Sequence, residues 1–136
     1  MSDIALNVLA QVAEQMGFLT PTGPGGMPPA GATAVRISFT GPASGSVAVA
    51  ADRELTQALA RNLLVLDPDA VVADGDAADA HAEFANVLAG NLLPALLGEG
   101  EYRLGAPEAC VWPAAATAEA AVECAEGVVA VRVVRA

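Results

Sequence analysis

Twelve consecutive residues, Thr20 to Gly31 (TPTGPGGMPPAG), include four prolines and four glycines. Such a run denies the backbone both helical continuation and strand pairing. It reads as a loop, and whatever precedes it must close as an element of its own. Ahead of it, Ile4, Ala5, Val8, Leu9, Val12 and Met16 recur at three- and four-residue spacing, with Ser2 available as an N-cap. That pattern predicts a first helix from Ser2 to about Phe18.

Behind the loop the period changes from helical to alternating. Val35, Ile37 and Phe39 share one side of a strand from Ala34 to Thr40, with Arg36 and Ser38 on the other, and Ser46 to Ala51 follows after Gly41-Pro42-Ala43-Ser44-Gly45. The pair reads as a β-hairpin. Asp52 then stands as the N-cap of a second helix through about Leu64, in which Leu55, Ala58, Leu59 and Leu63 share a face. Asp67-Pro68-Asp69 breaks it. The acidic segment Asp74 to Asp79 suits the positive end of a third helix, which runs to about Leu97 and stops before Gly98. Four strands fill the last third: Tyr102 to Leu104, Cys110 to Trp112, Ala118 to Ala125 and Val128 to Val134, the last two joined around Glu126-Gly127.

The expected architecture is α+β: a mostly antiparallel sheet of about six strands, with the two long helices, first and third, packed side by side on one face. At 136 residues the chain reads as a single domain, 1–136. It is 54% hydrophobic and 16% charged, too apolar for a disordered chain, while no apolar run approaches the about 18 residues of a membrane helix. No Lys or Arg precedes an apolar stretch at the amino terminus, so the expected location is cytoplasmic.

The charge excludes further classes. Net charge is −10, with six arginines and no lysine. That is the opposite of the basic stripe nucleic acid or an anionic membrane requires, and it removes Schiff-base and P-loop lysine chemistry. Cys110 and Cys124, with the single histidine His81, do not form a zinc pattern, and the two thiols read as buried and reduced. No metal site is expected. His81 lies on the apolar side of the third helix with no titratable partner, and is assigned a packing role.

One polar stripe stands out. At about 100° per residue, Asp79, Glu83, Asn86 and Gly90 fall within roughly 60° of one another on the third helix. Phe84, Ala85, Leu88, Leu92, Ala95 and Leu96 form the opposite, core-facing side and would hold the stripe rigidly. On periodicity alone the same residues read more simply as solvated helix positions, with Asn86 bonded to something buried. Asn91, with Gly90, reads as a position that permits close helix packing.

The run Asp79-Ala-His-Ala-Glu83-Phe-Ala-Asn86-Val-Leu-Ala-Gly90-Asn91 resembles the signature of the CheC/CheX/FliY chemotaxis phosphatases, an Asp or Ser followed by Glu four residues on and Asn three further. The hairpin from Val35 to Val49, the segment Leu59-Ala60-Arg61-Asn62-Leu63-Leu64 and the stretch Leu104-Gly105-Ala106-Pro107 resemble other parts of the same family. In the first helix Glu14 is followed three residues later by Gly17, where a second site would need Asn. The chain is therefore similar to CheX, with one such helix, rather than to CheC with two.

The resemblance implies a CheC/CheX-like fold and hydrolysis of the aspartyl phosphate of a CheY-type response regulator in chemotaxis or related two-component signalling. Asn86 would orient the attacking water and Glu83 would pair with a lysine of the regulator, these being the implied catalytic residues, while Asp79 and Gly90 would contact the partner. No cofactor would be bound by this chain, and Mg²⁺ would sit on the regulator. A homodimer by strand exchange is implied as well. Two alternatives stay open: a non-catalytic CheX-like module that binds a regulator or signalling complex, and an unrelated α+β domain in which Glu83 and Asn86 are structural.

Overall fold

The structure is a computed structural model that describes residues 2–113 and 117–136. The chain runs α1 (Asp3–Gln15), β1 (Pro21–Pro24), β2 (Thr33–Thr40), β3 (Gly45–Ala51), α2 (Arg53–Leu64), α3 (Asp74–Leu97), β4 (Arg103–Leu104), β5 (Glu108–Val111), β6 (Ala120–Cys124) and β7 (Gly127–Arg135). Among the described residues, seven strands form one sheet in the order β1-β6-β7-β3-β2-β4, with β5 also on β2. Every pairing is antiparallel.

The seventh strand corrects the sequence reading, because β1 lies inside the Pro/Gly run taken as loop. Among the described residues, strand β1 is an edge that pairs with β6 alone, through Pro21↔Cys124, Gly23↔Glu123 and Pro24↔Val122, with a register shift between Pro21 and Gly23. An edge strand needs partners on one side only, so its prolines cost no ladder bond on the other. The ends are held by Ala125 N–H on the Thr20 carbonyl (2.9 Å) and Gly25 N–H on the Ala121 carbonyl (2.8 Å).

The period-2 pattern sets the two faces. Across the register, Ala120, Val131, Val49 and Val35 line up as one row, and Val133, Val47 and Ile37 as the next. These rows carry the main core against the helices. On the reverse face the row is Ala121, Ala130, Ala50 and Ala34, small residues that let the buried Trp112 and Ala118 pack on the sheet.

The two long helices α1 and α3 pack side by side on the main face as expected, and α2 lies on the other flank of α3. Helix α1 ends at Gln15, earlier than the expected Phe18. Past the helix end Phe18 turns left-handed at φ 52°, and Gly17 allows the close approach of α2, since a Cβ there would lie 2.9 Å from Leu59 Cδ1. Ser2 caps α1 as expected, accepting from Ala5 N–H at 3.2 Å. Asp52 does not cap α2 with its side chain. Its carboxylate instead accepts from Val128 N–H at 2.7 Å, and its own N–H donates to the Val128 carbonyl at 3.1 Å, which ties the start of α2 to β7.

Candidate functional site

Helix α3 is amphipathic in the sense the stripe requires. Ala80, His81, Phe84, Ala85, Leu88, Ala89, Leu92 and Leu93 are buried, and they fix both the rotation and the height of the helix on the sheet. Asp79, Glu83, Asn86 and Gly90 are all exposed on the crest. An α-helical rise places Asn86 about 4.5 Å along the axis from Glu83, and the whole stripe spans about 16 Å. Thus the structure brings all four residues together on one outward ridge. Among the described residues, neither the Glu83 carboxylate nor the Asn86 amide forms a hydrogen bond. Both are free to meet a partner.

Two details of the helix differ from the sequence reading. Ala95, assigned to the core face, is exposed, because the buried stripe runs through Leu92 and Leu93 and turns away from Ala95 at the last turn. Gly90 does not mediate close packing either: a Cβ added there would meet nothing within 4 Å. It leaves the ridge bare beyond Asn86. Asn91 donates from Nδ2 to the Val87 carbonyl at 2.8 Å, a local bond within α3.

The ridge stands between two grooves. On the α2 side, Leu63, Leu64, Asp76, Asp79, Ala80 and Glu83 line a cleft of about 260 Å³ with Ala60. On the α1 side, Val8, Gln11, Val12, Gln15 and Met16 face Val87, Asn91 and Ala95 across a cleft of about 400 Å³. Of these flanks the sequence reading placed α1 beside α3, as the structure has it, and missed α2 on the other side. The exposed Leu64, just beyond the core face of α2, was the one signal available.

His81 is on the buried side of α3, with Nε2 2.8 Å from the Val49 carbonyl. A carbonyl can only accept, so Nε2 carries the proton. Burial pushes the imidazole below its ordinary value, and the bond to Val49 opposes that in part. This is the packing role the sequence assigned. Of the two free thiols, Cys124 is buried and Cys110 only half-buried, a partial correction that follows from the place of β5 at the sheet margin. Burial, aided by Glu126, raises the Cys124 thiol to about 11, and burial also raises Cys110. Neither is poised as a nucleophile. Among the described residues, no group of three or more His, Cys, Asp or Glu side chains is placed to hold a metal ion. No helix among them is long and apolar enough to cross a membrane.

Comparison with known proteins bears on the same ridge. A search of curated proteins gives no match. Among solved structures, the chain is similar to the chemotaxis protein CheX from Vibrio vulnificus, at 17% identity over 98% of this chain and 95% of that one, with a TM-score of 0.69. A chemotaxis protein CheX from Desulfovibrio desulfuricans gives 18% identity over 98% and 97% of the two chains and a TM-score of 0.70. A chain of the CheX-CheY-BeF3-Mg²⁺ complex from Borrelia burgdorferi gives 17% identity over 98% and 96%, with a TM-score of 0.65. At such identities these likenesses establish the fold. The model of the family described as chemotaxis phosphatase CheX matches residues 33–127, a segment that runs from β2 to the start of β7 and contains the whole of α3 with its exposed Glu83 and Asn86, and the chain belongs to that family.

Proposed function

We propose that this protein hydrolyses the aspartyl phosphate of a CheY-type response regulator, with Asn86 and Glu83 as its catalytic residues. The observation that carries the reading is the exposure of both side chains, one turn apart, on the crest of a helix whose opposite face is buried from Ala80 to Leu93. Phosphoryl transfer to water needs an in-line nucleophile and charge neutralisation more than it needs a protein nucleophile. Asn86 offers a carbonyl oxygen that accepts from a water and an amide that donates, so its side chain can aim that water at phosphorus. The water oxygen forms the new bond, the bond from phosphorus to the aspartyl oxygen breaks, and the regulator's carboxylate and inorganic phosphate are released. Glu83 offers a carboxylate for a charge-assisted bond with a lysine of the regulator, which sets the register of the inserted helix.

Asp79 and Gly90 extend the same contact at either end of the ridge, Asp79 through its place in the α2–α3 cleft and Gly90 by leaving room for the partner. Mg²⁺ belongs to the regulator in this reading, with no cofactor drawn from this chain. The complex of a CheX with CheY from Borrelia burgdorferi supports the choice of partner. A homodimer through strand exchange is part of the same proposal. Within one chain β7 is paired on both sides, by β6 and β3, so a dimer must displace or extend a strand and not simply add to β7.

The test is the rate of phosphate loss from phosphorylated CheY-type receiver domains with Mg²⁺, with and without this protein, together with direct binding of the same domains. Acceleration of at least one regulator supports the proposal. Binding without acceleration selects the non-catalytic module, and neither result on any regulator sinks both. Sedimentation of the same samples reads the dimer.

A further inference from the structure

Away from the ridge, four large apolar side chains are exposed around the carboxy-terminal end of α2. Phe18, Val65 and Val71 are 67%, 89% and 96% exposed, and Leu66 is 41% exposed. Isolated exposed apolar residues are ordinary, but a cluster of this kind marks an interaction surface. Its parts are tied together. Asn62 donates from Nδ2 to the Gly17 carbonyl (2.9 Å) and the Phe18 carbonyl (3.2 Å), which seats Phe18 against α2. Arg61 donates from Nε to the Ala70 carbonyl at 2.8 Å, which folds the segment carrying Leu66 and Val71 back on the same helix end.

Between these walls lies a groove of about 410 Å³ that runs along α2. Its floor is Ala58, its apolar walls are Phe18, Leu66 and Pro68, and Glu54 and Glu126 stand at its margin. From Glu54 to Asn62 it follows about two turns of helix, or about 12 Å. A small floor residue between tall apolar walls is the shape that accepts the apolar face of another helix. The rim fixes the sign of what enters: Glu54 and Glu126 line it, and Asp67 and Asp69 flank Pro68, against the single guanidinium of Arg61. With a chain net charge of −10, a partner rimmed by carboxylates would be repelled.

We propose that this end of α2 docks an amphipathic helix of another protein, its apolar face seated between Phe18 and Leu66 and its flanks basic. The surface lies on the opposite side of α2 from the cleft that holds Asp79 and Glu83, so this binding is separate from the phosphatase reading and does not depend on it.

The probe is a pair of short, fluorescently labelled synthetic helices with one shared leucine face, one flanked by lysine and the other by glutamate, titrated against the full chain by anisotropy. The lysine helix should bind saturably and at least about tenfold more tightly than the glutamate helix. The double variant Phe18→Ser, Leu66→Ser keeps every charge, and it should lose about tenfold in affinity with an unchanged melting temperature. Glu83→Gln should bind like wild type. Absence of saturable binding, equal binding of the two helices, or full affinity in the double variant would overturn the proposal. Self-association of the free protein that disappears in the double variant would assign the surface to a second copy instead, and would overturn it as well.

Discussion

The imidazole Nε2 of His81 lies 2.8 Å from the carbonyl oxygen of Val49, a bond that pins the first half of α3 to the central strand β3. The ring is neutral when folded, because burial depresses its proton affinity. Its folded pKa lies below the unfolded value, so the unfolded chain binds more protons through this window. Stability from this group is therefore full above pH of about 6.5 and is lost as pH falls through the depressed folded value. The melting temperature of wild type should drop between about pH 7 and pH 5 by more than that of His81→Leu, since the carboxylates titrate mostly lower. The variant should also be about 1–3 kcal/mol less stable at neutral pH, having lost a buried donor to Val49. Parallel pH profiles for the two proteins would show that His81 is not the titrating group.

Asp52 makes a second pin. Its carboxylate and its N–H both engage Val128, at 2.7 Å and 3.1 Å, and Gly127 beside it leaves room for the contact. Asp52→Ala should cost about 1–2 kcal/mol, while Asp52→Asn, which keeps an acceptor oxygen, should recover most of that. Chemical denaturation measures both. If asparagine is as damaging as alanine, the bond to Val128 is not what holds the corner.

Asp52 also shows where sequence reasoning stops. Its position ahead of a helix was legible, and the helix is there, but a capping residue and a residue bonded across the sheet look alike until the strand opposite is known. The β2–β3 hairpin was legible because Val35, Ile37 and Phe39 alternate over a full strand length. Strand β1 was not, because proline and glycine abolish the period-2 signal and their tolerance depends on lying at an edge. The stripe Asp79-Glu83-Asn86-Gly90 was legible in full, since it sits within one helix and needs only the 3.6-residue period. Its flanking clefts come from α1 and α2: the two long helices α1 and α3 were expected side by side, while no local pattern encodes that α2 stands on the other flank. For the same reason the core face was followed as far as Leu92 and then carried wrongly to Ala95.

Val65 adopts a left-handed conformation at φ 55° as the C-cap of α2, with its side chain 89% exposed. A β-branched residue is a poor choice there, and glycine is the usual one. Val65→Gly should raise stability by about 1 kcal/mol, read as an upward shift in melting temperature, since no buried contact is lost. A fall in stability would mean that the valine side chain is packed in solution.

Asn86 separates a functional ridge from a structural one. Its side chain is exposed and makes no hydrogen bond among the described residues, so Asn86→Ala should change stability by no more than about 0.5 kcal/mol. On the proposed reaction it should slow phosphate release from the regulator by about a hundredfold, because the water loses its positioning group. Glu83→Gln keeps the shape of the side chain and loses the charge, so it should weaken regulator binding more than it slows turnover at saturation. Asn91→Ala supplies the control: the same residue type, bonded within the helix to Val87, should leave the rate unchanged. Melting curves and phosphate-release rates on the same preparations decide the matter. A large loss of stability in Asn86→Ala would make the residue structural, and an equal loss of rate in Asn91→Ala would mean the ridge residues act only through the helix that carries them.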